Sequence, residues 1–186
     1  LDMMQCLRGF DDLTYTHSMN VALICNVIGS WAGFSKDDLN TLMLCGLLHD
    51  IGKLKIPAEI IQKPGKLTDE EFDLIRSHPK LGYDILRSKN LDDRIKLAAL
   101  QHHERYDGNG YPDSLKGDDI PISAQVVSIA DVYDALVSKR VYKESYTHET
   151  AMQMIMNGEC GVFNPVLLQC LKDIATNIPD KIYRGG

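Results

Sequence analysis

No stretch of this sequence approaches the ~20 consecutive apolar residues that a membrane span needs, so the chain is expected to be soluble and to make no membrane contact of its own. Nor is there an excess of basic residues: 26 Asp and Glu against 20 Lys and Arg leave a formal charge of −6. That balance argues against a general grip on long nucleic acid, which is built from many Lys and Arg contacts to phosphate, whereas a small phosphate ligand needs only a local basic patch. Cys6, Cys25, Cys45, Cys160 and Cys170 form no CxxC pair and no regular spacing, so they read as reduced and mostly buried in a cytoplasmic protein. No basic segment followed by an apolar one opens the chain at Leu1, so no secretory signal is expected, and a start without Met suggests the C-terminal part of a longer signalling protein. No repeat, low-complexity tract or charge block divides the 186 residues, which are expected to form one domain spanning 1–186. That length buries a core without disulfides or structural metal, so any metal is free to be functional.

What is present is apolar residues at helical spacing. Val21, Ile24, Ile28 and Trp31 lie on one stripe with His17, which predicts an inward-facing His17. Ser35 reads as an N-cap for a helix carrying Leu39, Leu42, Met43, Gly46 and Leu47, with His49 and Asp50 in its last turn before Gly52. Thr68 and Glu71 form a capping box for a third helix with Phe72 and Ile75 inward, and Pro79 breaks it beside His78. Asp92 caps a fourth, with Ile95, Ala98, Ala99 and His102 on one face and His103 closing it. The segment from Glu104 to Pro121, with Gly108, Gly110, Pro112 and Gly117, reads as an ordered loop. A fifth helix from about Ser123 to Val137 brings Val127, Asp131 and Asp134 together, and two more follow around Thr150–Asn157 and after Asn164-Pro165. With no convincing strand pairing, the expected class is all-α, a single-domain helical bundle.

A lone inward histidine is usually a hydrogen-bonded core residue. Here five of six histidines, all but His148, fall on inward faces or element ends. The adjacent pair His49-Asp50 is the most telling, because neighbours on a helix diverge by about 100 degrees and cannot both simply face a core. Chelation explains the pair better, and the partial negative charge of a helix C-terminus favours a cation there. Imidazole with carboxylate suits Fe, Mn, Zn or Ni rather than Ca or Mg. Five imidazoles, Asp50 and Asp131 imply two divalent ions and a net positive site that attracts phosphodiesters.

Three blocks, LLHDIGKLKIPAEIIQKPGKLTDEEF, HHERYDGNGYPDSLKGDDIP and ADVYDALVSKRVYK, stand in the order and approximate spacing of one known family. Across nearly its whole length the chain resembles the HD-GYP domains, a subgroup of the HD metal-dependent phosphohydrolases. The resemblance implies an HD-type helical bundle and a phosphodiesterase acting on cyclic di-GMP or a related cyclic dinucleotide. Carried over residue by residue, it makes His17, His49, Asp50 and Asp131 the ligands shared with simpler HD enzymes and gives His78, His102 and His103 to a second ion, with Asp50 bridging. The ions it implies are Fe or Mn first, with Zn and Ni as alternatives. Lys53 matches the lysine facing the substrate phosphate or hydroxide, and Arg140 and Lys143 match basic positions that hold the phosphates. Gly110-Tyr111-Pro112 is the namesake triplet, in which Tyr111 stacks on a base or braces the loop. Leu13 stands where some three-metal relatives carry Glu, so a third ion is not expected. Asn164 replaces a frequent Asp and caps a helix equally well.

The implied reaction is hydrolysis of a 3′–5′ phosphodiester by a hydroxide bridging the two ions, giving the linear dinucleotide and, with a second cut, mononucleotides. Two other readings share parts of the pattern. A catalytically silent receptor of cyclic dinucleotides, or of a diguanylate cyclase (GGDEF) partner, is opposed by the intact ligand set. Another HD nucleotide phosphohydrolase would share His17, His49, Asp50 and Asp131 but not the block around Tyr111. A homodimer stays open.

Overall fold

The structure, a computed structural model, describes residues 12–138 and 145–177, and no strand occurs among them. The chain is all-α, as expected. Helix α1 (Asp12–Trp31) packs against α2 (Lys36–Leu48) and α7 (Ile122–Val137), while α6 (Asp93–Gln101) packs on α2 and α7. Between them run a 3-10 turn (Ile51–Lys55), α3 (Ala58–Ile61), α4 (Asp69–Arg76) and α5 (His78–Leu86); α5 lies against both the 3-10 turn and α6. A second 3-10 turn (Gly117–Asp119) leads into α7, and α8 (His148–Met156) and α9 (Pro165–Asn177) close against α7 and α1 respectively.

Local chemistry sets most of these boundaries. Ser35 accepts the amide of Asp38, Asp92 that of Arg94 and Thr147 that of Thr150, each satisfying a donor the first helical turn leaves open. Thr68 and Glu71 form the full reciprocal capping box, and Asn164 accepts the Val166 amide at the head of α9. The core is a continuous cluster that includes Val21, Ile28, Leu42, Leu86, Ile95, Val126, Ile129 and Ile155.

Two expected inward residues point out instead. Trp31 is 49 % exposed because Phe34, after the turn that ends α1, packs against the core in its place. Phe72 is 52 % exposed: α4 lies on the surface with no buried residue, and of its apolar side chains only Ile75 turns half inward. Of the described cysteines only Cys25 and Cys45 are buried; Cys160 and Cys170 are half-buried, and Cys6 lies outside the described residues.

Two close approaches place the elements that carry the histidines. A Cβ on Gly46 would meet the Ala22 backbone at 2.9 Å, so α1 and α2 cross at a point only glycine permits. At Gly52 a Cβ would lie 1.9 Å from the His78 carbonyl oxygen, and Gly82 faces it from α5. The turn after Asp50 is thereby pressed against the start of the helix bearing His78.

Candidate metal centre

Where α2, α5 and α6 end or begin, they aim imidazoles at a common point. His49 is the C-cap of α2, His78 opens α5 and His102 is the C-cap of α6; all three are essentially buried. Each donates Nδ1–H to a carbonyl one turn earlier in its own segment: His49 to Gly46 at 2.6 Å, His78 to Ile75 at 2.7 Å and His102 to Ala99 at 3.1 Å. Those bonds fix the tautomer and leave every Nε2 lone pair facing inward. His17 enters from α1 and Asp131 from α7, with Nε2 and Oδ1 3.0 Å apart.

Asp50 is the centre. Its Oδ2 lies 3.4 Å from His49 Nε2 and 3.8 Å from His17 Nε2, and its Oδ1 lies 3.1 Å from His78 Nε2 and 3.9 Å from His102 Nε2. One carboxylate thus addresses two pairs of imidazoles with different oxygens. Three overlapping trios, His78-His102-His103, His17-His49-Asp50 and His49-His102-Asp131, each bring their donor atoms within 4.8 Å of one another.

The cage fits divalent metal on its own chemistry. His49 Nε2 is buried and has no hydrogen-bond partner, which is costly for a polar atom unless something else occupies its lone pair. His78 Nε2 and His102 Nε2 stand 3.2 Å apart although both rings have spent their Nδ1 hydrogens on carbonyls, so two lone pairs confront each other. A cation relieves both problems. Burial, reinforced by His103, His49 and His78, pushes His102 well below the usual imidazole range, and burial takes His103 down to about 3, so both are neutral and able to ligate at neutral pH. Burial would raise the Asp50 carboxyl, yet Lys53 and His49 hold it well below the carboxylate range; Asp131 is likewise held down against burial, chiefly by His17.

All seven ligand candidates therefore meet: His17, His49, Asp50, His78, His102, His103 and Asp131. Lys53, one turn beyond Asp50, donates from Nζ to Asp50 Oδ2 and is 25 % exposed at its side chain. Tyr111 stacks on His103, ring centroids 4.8 Å apart and planes 16° from parallel. Arg140 and Lys143 lie outside the described residues.

Several supporting residues carry no role in the sequence reading. Asp134 Oδ2 takes the Nδ1–H of His17 at 2.6 Å, and its Oδ1 is held by Asn20 and Ser138. Its three-residue spacing from Asp131 on one helix was the available signal. Buried Glu104 accepts the amides of Asp113 and Leu115, folding the glycine-rich loop back on the histidine pair. Gly110 fits against that turn only because it has no side chain, since a Cβ would meet the Glu104 and Arg105 backbone at 2.4 Å. Arg105 ties the end of α6 to α7 by donating to the Glu104 carbonyl at 3.0 Å and to Ser128 Oγ at 2.8 Å.

Known proteins resemble this chain in sequence and fold. The model of the HD domain family matches residues 5–162. The chain is 39 % identical over 150 residues to the cyclic di-GMP phosphodiesterase response regulator RpfG of Xanthomonas campestris, covering 80 % of this chain and 40 % of that protein. It is 39 % identical over 176 residues to the 3′3′-cGAMP-specific phosphodiesterase 2 of Vibrio cholerae, covering 90 % of this chain and 34 % of that one. The chain thus spans less than half the length of these two curated relatives. Among solved structures, an HDG"Y"P protein from Bdellovibrio bacteriovorus superposes with a TM-score of 0.72 at 25 % identity, over 88 % of this chain and 52 % of that one. With His49-Asp50 at the heart of its cage and Gly110-Tyr111-Pro112 beside it, the chain belongs to the HD domain family and, within it, to the HD-GYP group.

Proposed function

We propose that the chain is a metal-dependent phosphodiesterase that hydrolyses cyclic dinucleotides, with cyclic di-GMP as its substrate. The observation that carries this reading is the division of Asp50 between two pairs of imidazoles, each pair faced by a different carboxylate oxygen. His17, His49, Asp50 and Asp131 would hold one ion and Asp50, His78, His102 and His103 the other, with Fe or Mn suited to the mixed nitrogen and oxygen donors. Bound there, such ions supply Lewis acidity toward a phosphoryl oxygen and lower the pKa of water into the neutral range. The names of the two relatives support the substrate class, and cyclic GMP-AMP remains the alternative within it.

The protein's own groups have separable tasks. Asp50 and Asp131 bring negative charge into the cluster of imidazoles, and Asp134 fixes the ring of His17. Lys53 spends one N–H on Asp50; its partly exposed ammonium has others to offer a phosphate oxygen or the leaving 3′ oxygen. Tyr111 stacks on His103 and also carries the Arg76 guanidinium over its ring, which favours bracing over base stacking. Arg140 and Lys143 are assigned to the phosphates of the bound dinucleotide.

The test is nucleotide chromatography after the anaerobically purified chain meets cyclic di-GMP or cyclic GMP-AMP with Mn or Fe(II), with metal content measured on the same sample. Linear dinucleotide or GMP is expected from the native chain, and Asp50→Ala should lose metal and turnover together. Hydrolysis that survives Asp50→Ala would sink the mechanism. A metal-loaded chain that binds nucleotide without cutting it would make the protein a receptor.

A further inference from the structure

Arg76 is the last residue of α4 and is exposed, two residues before His78. Its guanidinium carbon lies over the Tyr111 ring, 4.5 Å from the centroid. Because the same ring stacks on His103, one phenol touches both an imidazole of the cage and a cation at its rim. The ring offers the cation an aromatic face rather than a counter-charge.

The other described arginines have oxygen partners. Arg94 is held by Asp38 and Asp92, Arg105 by the Glu104 carbonyl and Ser128, and Arg87 by Asp84. For Arg76, the Tyr111 ring is the one partner among the described residues. A guanidinium carries five N–H donors in a rigid fork suited to paired acceptors, and here the fork is positioned from behind while its donors stay unspent. An arginine kept only for solubility needs no such backing.

We propose that Arg76 contacts the half of a cyclic dinucleotide distal to the phosphodiester being cut, its fork taking a pair of acceptors there. The inference rests on the function proposed above, since a substrate with a second nucleotide is what reaches past the cage to its rim. Two groups on that half present paired acceptors: the non-bridging oxygens of the second phosphodiester, and the O6/N7 edge of guanine, which adenine lacks because it carries a donor at position 6.

The experiment compares the native chain with Arg76→Ala and Arg76→Lys, reading dissociation constants and kcat/KM for cyclic di-GMP, cyclic di-AMP and cyclic GMP-AMP. Metal content and turnover of bis(p-nitrophenyl) phosphate, a diester with no distal half, are measured alongside. Arg76→Ala is expected to weaken cyclic di-GMP binding about 10- to 100-fold, the range for a lost charge-assisted hydrogen bond, and to affect the small diester far less. Equal losses on all three nucleotides with partial recovery in Arg76→Lys identify the phosphodiester. Losses confined to nucleotides containing guanine, without recovery by lysine, identify the base edge. Unchanged nucleotide affinity overturns the proposal, as does a parallel fall of nucleotide binding, small-diester turnover and metal content, which would make Arg76 a brace for Tyr111 and His103. A native chain that binds cyclic di-GMP without cleaving it defeats the phosphodiesterase reading alone, and the affinity comparison then decides for Arg76. Binding of none of the three nucleotides overturns both.

Discussion

At the scale of single residues, the cage depends on side chains that never touch a ligand. Asp134→Asn keeps the shape of the group that holds His17 and removes its charge. Metal affinity should fall about 10- to 100-fold, the usual effect of losing an outer carboxylate partner, and competition against a chelating dye would show it. Unaltered affinity would mean that His17 needs no such support. His17 also sets a pH dependence. Burial would lower its pKa, but the hydrogen bonds it donates to Asp131 and Asp134 outweigh burial and raise it from 6.5 to about 9. In the metal-free chain the folded state therefore keeps a proton that the unfolded state releases. That stabilisation is complete below pH 6.5 and is lost as pH rises through about 9. Metal uptake displaces the same proton, so calorimetry near neutral pH in buffers of different ionisation enthalpy should report release of about one proton from this group. Heats independent of the buffer would remove His17 from the ligand set. The seven candidate ligands were legible because so many histidines at inward faces or helix ends, one of them followed directly by Asp50, are already unusual. Asp134 was not, because its partner His17 lies 117 positions away and only folding brings the two together.

At the scale of elements, helix starts were written locally and helix faces were not. Ser35, Thr68 and Asp92 announce their helices through a hydroxyl or carboxylate two or three residues ahead of an amide, a relation the sequence contains in full. Phe72 misleads because periodicity gives the stripe on a helix but not whether the body of the protein lies under it; α4 has little beneath it. The Gly52 contact shows the same limit. A glycine after His-Asp-Ile reads as a helix stop, whereas its role is to let the His78 carbonyl touch the backbone of the turn. Gly52→Ala should therefore cost about 1–3 kcal/mol or more, since the obstruction is main chain and cannot rotate aside. It should also lower metal content by driving Asp50 away from His78. Urea unfolding together with metal analysis checks both, and a variant of native stability would show that the turn can yield.

For the molecule as a whole, fold class and the location of the site were legible together, because His49, His78, His102 and His103 stand at the ends of helices. The helices are held by their own caps and by a continuous apolar cluster, so folding and metal loading should be separable. Chelation is expected to abolish turnover while leaving the far-ultraviolet circular dichroism of the helices in place, with activity returning when metal is restored. Collapse of the helical signal on chelation would instead make the ion a structural element, as in small zinc domains. The carbonyls of Gly46, Ile75 and Ala99 give this expectation a further meaning. Three imidazoles are oriented by the main chain of their own segments, so they stay oriented when no cation is present, and an ion can leave and return without disturbing the walls around it. On the function proposed here, the rate at which the signal nucleotide is destroyed would then rise and fall with the surrounding supply of transition metal, and the enzyme would act as a gauge of that supply as well as an eraser of the message.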